Sequence, residues 1–195
     1  MKRIGIGMTI LGIMMIAGAV GLLLRNRTEE AQAAQSVRDV MVQMETVATV
    51  LPSAEEPREN PDREMPAVRI GEHDYIGYIR IPVLELELPV LEQWSYDRLR
   101  AAPCRYAGSL YREDLVVMAH NYESHFGRLD ELKPGDPVAF TDMEGRTVIF
   151  RVEAVEILES GAVEEMTAGE YGLTLFTCTY GGKRRVTVRC GRATD

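Results

Sequence analysis

Residues 4–24 form an uncharged, predominantly apolar run of 21 positions, about the length a helix needs to cross a bilayer. The pattern then changes period. Val37, Val40, Met41, Met44, Val47, Ala48 and Leu51 recur every three or four residues, which predicts an amphipathic helix over 31–51 with its apolar face docked on a folded body. Residues 52–66 are rich in proline and glutamate, have no apolar face to bury, and read as an extended tether. Beyond Ala67 the period shortens to that of strands. Segments 75–81 and 84–91 flank Pro82, and Pro89 marks an edge or bend in the second. Segment 115–119 is a dense apolar run, 138–141 and 147–158 flank a turn, and 173–190 is a hairpin turning at Tyr180-Gly181-Gly182-Lys183. Helical signal is confined to 94–101, 126–132 and a turn around Glu164 in the polar loop 162–172. The fold class this predicts is mainly β, a closed or nearly closed barrel of about seven or eight strands with short helices. A transmembrane helix and linker precede it, dividing the chain into an anchor (1–27), a helix and linker (28–66) and a barrel domain (67–195).

Charge refines this picture at two points. Lys2 and Arg3 precede the apolar run while Arg25 and Arg27 follow it, so the flanking charges orient it only weakly. With almost no chain ahead of the span, the expected topology is single-pass, amino terminus cytoplasmic and barrel outside. A cleaved signal peptide ending near Ala31-Gln32-Ala33 is the alternative, but the apolar run is too long for a usual signal core. The net charge of −8 argues against a nucleic-acid partner, which calls for a basic stripe. Three cysteines are too few for a disulfide scaffold, and the odd number leaves at least one free thiol. No CxxC pair, HExxH helix or GxxxxGK[ST] loop occurs, so no metal or other cofactor is expected.

The candidate chemistry lies in the terminal hairpin. Cys178 closes one strand, and Lys183, Arg184, Arg185 and Arg189 open and line the next. A strand cysteine is ordinarily a small buried hydrophobe. Here it stands at a strand end beside a polar turn and cations, which favour the thiolate. Strand alternation puts Arg185, Thr187 and Arg189 on one face and Val186 and Val188 on the core face. Arg185 is then aimed across the hairpin at Cys178, with Arg189 second. A base comes from His120, just past the end of segment 115–119; His125 lies in a polar loop without rigid support, and His73 precedes the first strand. Cys190 falls on the core face. Cys104 follows Pro103 in a loop leading to the histidine strand, and a Cys104–Cys190 disulfide is conceivable outside the membrane.

The segments GYIRIPVLELELPV, PCRYAGS, LVVMAHNY, TLFTC and RRVTVR, in this order, resemble the sortase family of membrane-anchored cysteine transpeptidases from Gram-positive surfaces. The resemblance runs from about Tyr75 to Arg189 and implies a sortase-like closed barrel. By it, His120, Cys178 and Arg185 match the catalytic histidine, cysteine and arginine, and Arg189, Thr177 and Asn121 are candidate substrate-binding residues. The AHN…FGRLDEL and TLFTCTY stretches are most similar to class B. Ala119 stands where glycine is more usual, and 160–172 is shorter than in that class. The lack of a second span after Arg189 argues against class C. The implied partners are secreted proteins bearing a C-terminal sorting signal, and as acceptor a peptidoglycan precursor or a protein amine. Alternatives are a cysteine peptidase acting on similar motifs and a non-catalytic membrane-tethered binding module. An L,D-transpeptidase calls for a Ser-x-Gly-Cys-[hydrophobic]-Arg run, and Cys178 is instead followed by Thr179-Tyr180.

Overall fold

The computed structural model describes residues 2–48 and 62–193. Of the expected tether, 52–61 lies outside these residues, as does 49–51 of the expected amphipathic helix. In the described remainder Met65 is buried in the main core, which corrects the expectation that 52–66 has nothing apolar to bury. The expected span and amphipathic helix are one element, α1 (Lys2–Ala48). The joining segment RNRTEEAQAA has neither proline nor glycine and is dominated by good helix formers. It also carries an i,i+4 pair, Arg25 to Glu29 at 2.9 Å. An 18-residue window of α1 has mean hydropathy 1.5 and none of it is buried within the protein, so the helix is long and apolar enough to cross a membrane. Its second half behaves differently: Ala33, Val37 and Met44 are buried against the domain.

Among the described residues nine strands follow: β1 (Val68–Ile70), β2 (His73–Ile81), β3 (Leu86–Leu91), β4 (Cys104–Ala107), β5 (Leu115–Ala119), β6 (Pro137–Asp142), β7 (Thr147–Glu159), β8 (Leu173–Cys178) and β9 (Arg184–Arg192). Their order is β1-β2-β3-β4-β5-β8-β9-β7-β6, and β6 pairs back on β2. That last pairing closes eight of the strands into the expected barrel, with β1 an added hairpin on β2. Short helices α2 (Tyr96–Leu99) and α3 (Val163–Met166) sit on connections, and 3₁₀ turns occupy Pro82–Leu84 and Leu129–Glu131. Strands β1 and β4 were not expected. Both are short, and three or four residues carry too little alternation to stand out. Cys104 therefore lies on a strand rather than in a loop.

Alternation builds the core. Val148, Phe150 and Val152 of β7 point inward, and Leu115, Val117 and Ala119 of β5 meet Leu173, Leu175, Val186, Val188 and Cys190 in the same interior. The outer side of β5 and β8 is covered as well: Val116 and Phe176 pack under Met166 of α3. Burial on both faces explains why TLFTC reads as a continuous run rather than an alternating one. Pro89 pairs with Tyr78 of β2, and β3 touches β4 at a single pair, Leu91 with Cys104. The missing amide of Pro89 thus costs little at this loosely joined edge.

The barrel seam needs Gly77. Its φ is +147°, and a Cβ there would stand 2.1 Å from the Thr141 carbonyl oxygen and 2.9 Å from the Asp142 Cα. Gly77 pairs with Asp142 where β2 meets β6, so an added carbon forces the closing strands apart. Gly77→Ala is expected to destabilise the domain by ~2–4 kcal/mol, measured as a lower denaturation midpoint of the full chain in detergent micelles.

Candidate active site

Three adjacent strands bring the candidate residues to one end of the barrel. β5 and β8 run parallel, with Leu115 opposite Leu173 and Ala119 opposite Thr177. The next residue on each chain is His120 and Cys178. β9 returns antiparallel with Cys178 opposite Arg185. His120, Cys178 and Arg185 therefore form a row across the sheet, on the outer face that also carries Val116, Met118, Thr174 and Phe176. All three are half-buried. The Thr177 hydroxyl donates to the Ala119 carbonyl at 2.9 Å and holds the two strand ends in register.

His120 opens a tightly held loop. The Phe126 amide donates to the His120 carbonyl at 3.1 Å, and the amides of His125 and Gly127 donate to the Tyr122 carbonyl at 2.9 and 2.8 Å. Phe126 and Leu129 are fully buried and fasten the loop to the core. His125 is also fully buried. This corrects the expectation of a polar, unsupported loop residue, because the loop turns inward before Phe126. Tyr122 lies between the two imidazoles, 5.0 Å from the His120 ring and 5.5 Å from the His125 ring. Burial, then the positive charge of Arg100, holds the His120 pKa below its ordinary value, while Glu29 pulls it the other way. Burial, then His120, pushes His125 down to about 4.

The hairpin turn is closed by Thr179 N–H donating to the Arg184 carbonyl at 3.0 Å and Gly182 N–H donating to the Thr179 carbonyl at 2.8 Å. Gly181 and Gly182 have φ of +84° and +72°, which suits glycine. Arg185 Nη1 donates to the carbonyls of Gly182 and Arg184 at 2.9 and 3.0 Å. Arg189, one face-repeat away from Thr187, is deeply buried instead. It pairs with Glu156 at 3.1 Å, donates to the carbonyls of Glu165 and Met166 at 2.7 and 3.2 Å and to Thr174 Oγ1 at 3.3 Å. Its guanidinium also lies over the Tyr171 ring at 5.3 Å. The donors of Arg189 and the hydroxyl of Thr177 are thus engaged by groups within the protein. Asn121 is half-buried beside His120.

Cys104 and Cys190 are free and buried, in separate clusters, so the conceivable disulfide is not formed. Cys104 packs with Tyr75, Leu91 and Leu99, away from the row. Burial pushes both thiols up to about 12.

Sequence reasoning missed three features here. Glu29 and Arg100 are brought to His120 from distant segments by the fold, and nothing local marks them. Tyr122 follows His120 closely in sequence, but only the loop geometry sets it between two imidazoles. The third is an aromatic series on the outer face: Trp94 to Tyr106 at 5.7 Å and Tyr106 to Phe176 at 5.2 Å. A cleft of about 410 Å³ opens between Trp94 and Tyr106.

The sortase-domain family model matches residues 79–193. The chain belongs to the sortase family. Sortase C1 from Streptococcus suis is similar at 27% identity over 63% of this chain and 75% of that one, with a TM-score of 0.54. Sortase C1 from Streptococcus agalactiae is similar at 26% identity, covering 61% and 67%, with a TM-score of 0.52. Sortase A from Corynebacterium diphtheriae shares the fold at 18% identity, covering 91% and 96%, with a TM-score of 0.58. No curated protein matches the chain. Sortases are cysteine transpeptidases, and the barrel, the strand order and the N-terminal helix of this sortase accord with that class of enzyme. The class B likeness rests on its motifs alone; the neighbours named here are of classes C and A.

Two outcomes follow for this sortase. Iodoacetamide at about pH 8 is expected to label Cys178 in the folded protein and to reach Cys104 and Cys190 only after unfolding, read by peptide mass spectrometry. His125 titrates near its ordinary 6.5 when unfolded and at about 4 when folded. Between those values the unfolded chain holds a proton that the native one refuses, so stability falls as pH drops through this window. The loss from this group is up to ~3 kcal/mol. Denaturation at either end of the window should show it, and His125→Phe should flatten that part of the dependence.

Proposed function

We propose that this sortase is a membrane-anchored cysteine transpeptidase. It cleaves a C-terminal sorting motif of secreted proteins and joins the acyl product to an amine of the cell wall or of another surface protein. The observation that carries this reading is the row of His120, Cys178 and Arg185 on one face at one barrel end. The anchor occupies 1–27, with the amino terminus cytoplasmic; 28–66 connects it to an extracellular domain over 67–195.

Cys178 Sγ, as thiolate, attacks the backbone carbonyl carbon of the motif and forms a tetrahedral oxyanion. The Arg185 guanidinium faces that oxygen, and such an electrostatic contribution is commonly worth ~3 kcal/mol. The C–N bond then breaks, His120 delivers its proton to the leaving amine, and a thioester remains on Cys178. In the second step His120 takes a proton from the incoming amine, whose nitrogen attacks the thioester carbonyl. The amide forms, the C–S bond breaks, and Cys178 leaves as thiolate.

Arg185 is ready for this role because both of its backbone bonds lie at the hairpin's solvent side. Asn121 lies next to His120 and is the side chain we assign to the substrate. Arg189 serves the row indirectly: by holding the Glu165 and Met166 carbonyls it seats α3 on Val116 and Phe176, the latter two residues before Cys178.

A panel of sorting-motif peptides should yield an acyl-enzyme on Cys178, seen as an added mass removed by an amine acceptor. Cys178→Ala should abolish it. His120→Ala should slow transfer by ~10²–10⁴-fold and Arg185→Ala by ~10²-fold or more. Full transfer by Cys178→Ala protein would overturn the reading; a thioester released only to water, even with amine present, would make the enzyme a peptidase.

A further inference from the structure

The stripe that docks α1 on the barrel begins with a carboxylate. Glu30, Ala33, Val37 and Met44 fall on one helix face by their three- and four-residue spacing, and the last three of these are buried. Glu30 stands at the membrane-proximal end of that face. Its Oε1 accepts a hydrogen bond from the Glu123 amide at 2.9 Å, a contact between residues 93 positions apart.

Glu123 lies midway along the loop from His120 to Phe126. That loop is fastened at one end by β5 and at the other by the buried Phe126, whose amide bonds back to the His120 carbonyl at 3.1 Å. Between them the Glu123 amide finds its acceptor on α1. The neighbouring Glu29, paired with Arg25 at 2.9 Å, places its carboxylate within electrostatic reach of both Arg100 and His120. The charged and titratable groups that face His120 are thus Glu29 from α1, Arg100 from beyond α2, and Tyr122 and His125 from its own loop.

We infer that Glu30 is a positioning residue for His120, acting through the Glu123 amide, so that the helix leading from the apolar span completes the active-site loop. The inference rests on the role proposed for His120. Glu30 stands six helical steps beyond Leu24, a rise of ~9 Å, so the histidine loop is held about two turns beyond the apolar run. A rigid helix over that distance presents the site close to the surface from which α1 emerges. The chemistry needed at position 30 is an acceptor, which glutamine keeps and alanine lacks.

The test uses the full-length chain in detergent micelles and compares wild type, Glu30→Ala and Glu30→Gln. Hydrogen exchange of the peptide spanning 120–126 should rise ~5- to 10-fold in Glu30→Ala, the scale of one lost hydrogen bond, and return to the wild-type rate in Glu30→Gln. Acyl-enzyme formation should follow the same order, with kcat lowered ~5- to 10-fold in the alanine variant and KM changed less than ~2-fold. Unchanged exchange in Glu30→Ala, or a glutamine variant as impaired as the alanine one, overturns the inference. Exchange needs no activity, so a wild-type chain that forms no acyl-enzyme counts against the transpeptidase reading, separately from this one.

Discussion

The hydroxyl of Thr177 donates to the carbonyl of Ala119 at 2.9 Å, at the point where two parallel strands end together. Parallel strands have no hairpin to set their register, and a slip of one residue would send every side chain to the opposite face. Here the register is set by the core on the inner face, where Leu115, Val117 and Ala119 meet Leu173 and Leu175, and by this one side-chain bond at the rim. The row of His120, Cys178 and Arg185 depends on it. If β8 slid by one position, Cys178 would point into the barrel with the valines of β9.

Two sets of polar groups stand around that pairing. Arg189, Thr177 and Asp142 are buried, and each is bonded to groups that shape a loop or a strand end. Arg185, Cys178 and His120 are half-buried at the rim. Two arginines four residues apart on one strand face thus have different surroundings, set by what lies above them. Arg189 is roofed by α3 and Tyr171, whereas Arg185 sits under the open hairpin turn.

The N-terminal helix ties the barrel to its surroundings in the same way. An apolar half long enough to cross a membrane continues, unbroken, into a half that docks on the domain and reaches the histidine loop. A flexible joint at Arg25 would leave the two halves independent. The charged, proline-free segment between them instead transmits position from one to the other.

Much of this was legible from residue order. The apolar run of α1, the strand periods of β2, β5, β7, β8 and β9, the outward face of Arg185 and the inward face of Cys190 all follow from period and alternation, which are local properties. So did the candidate pair His120 and Cys178, because a histidine and a cysteine closing apolar strands are visible as strings, and the family motifs surround them. What tertiary structure decided was everything set by contact across the chain. The burial of His125, the internal engagement of Arg189 and Thr177, the strand carrying Cys104, the closure of β6 on β2 at Gly77 and the reach of Glu30 to Glu123 each join segments far apart in sequence. Hydrogen bonds and burial are properties of pairs, and a single chain position does not state which partner the fold will bring to it.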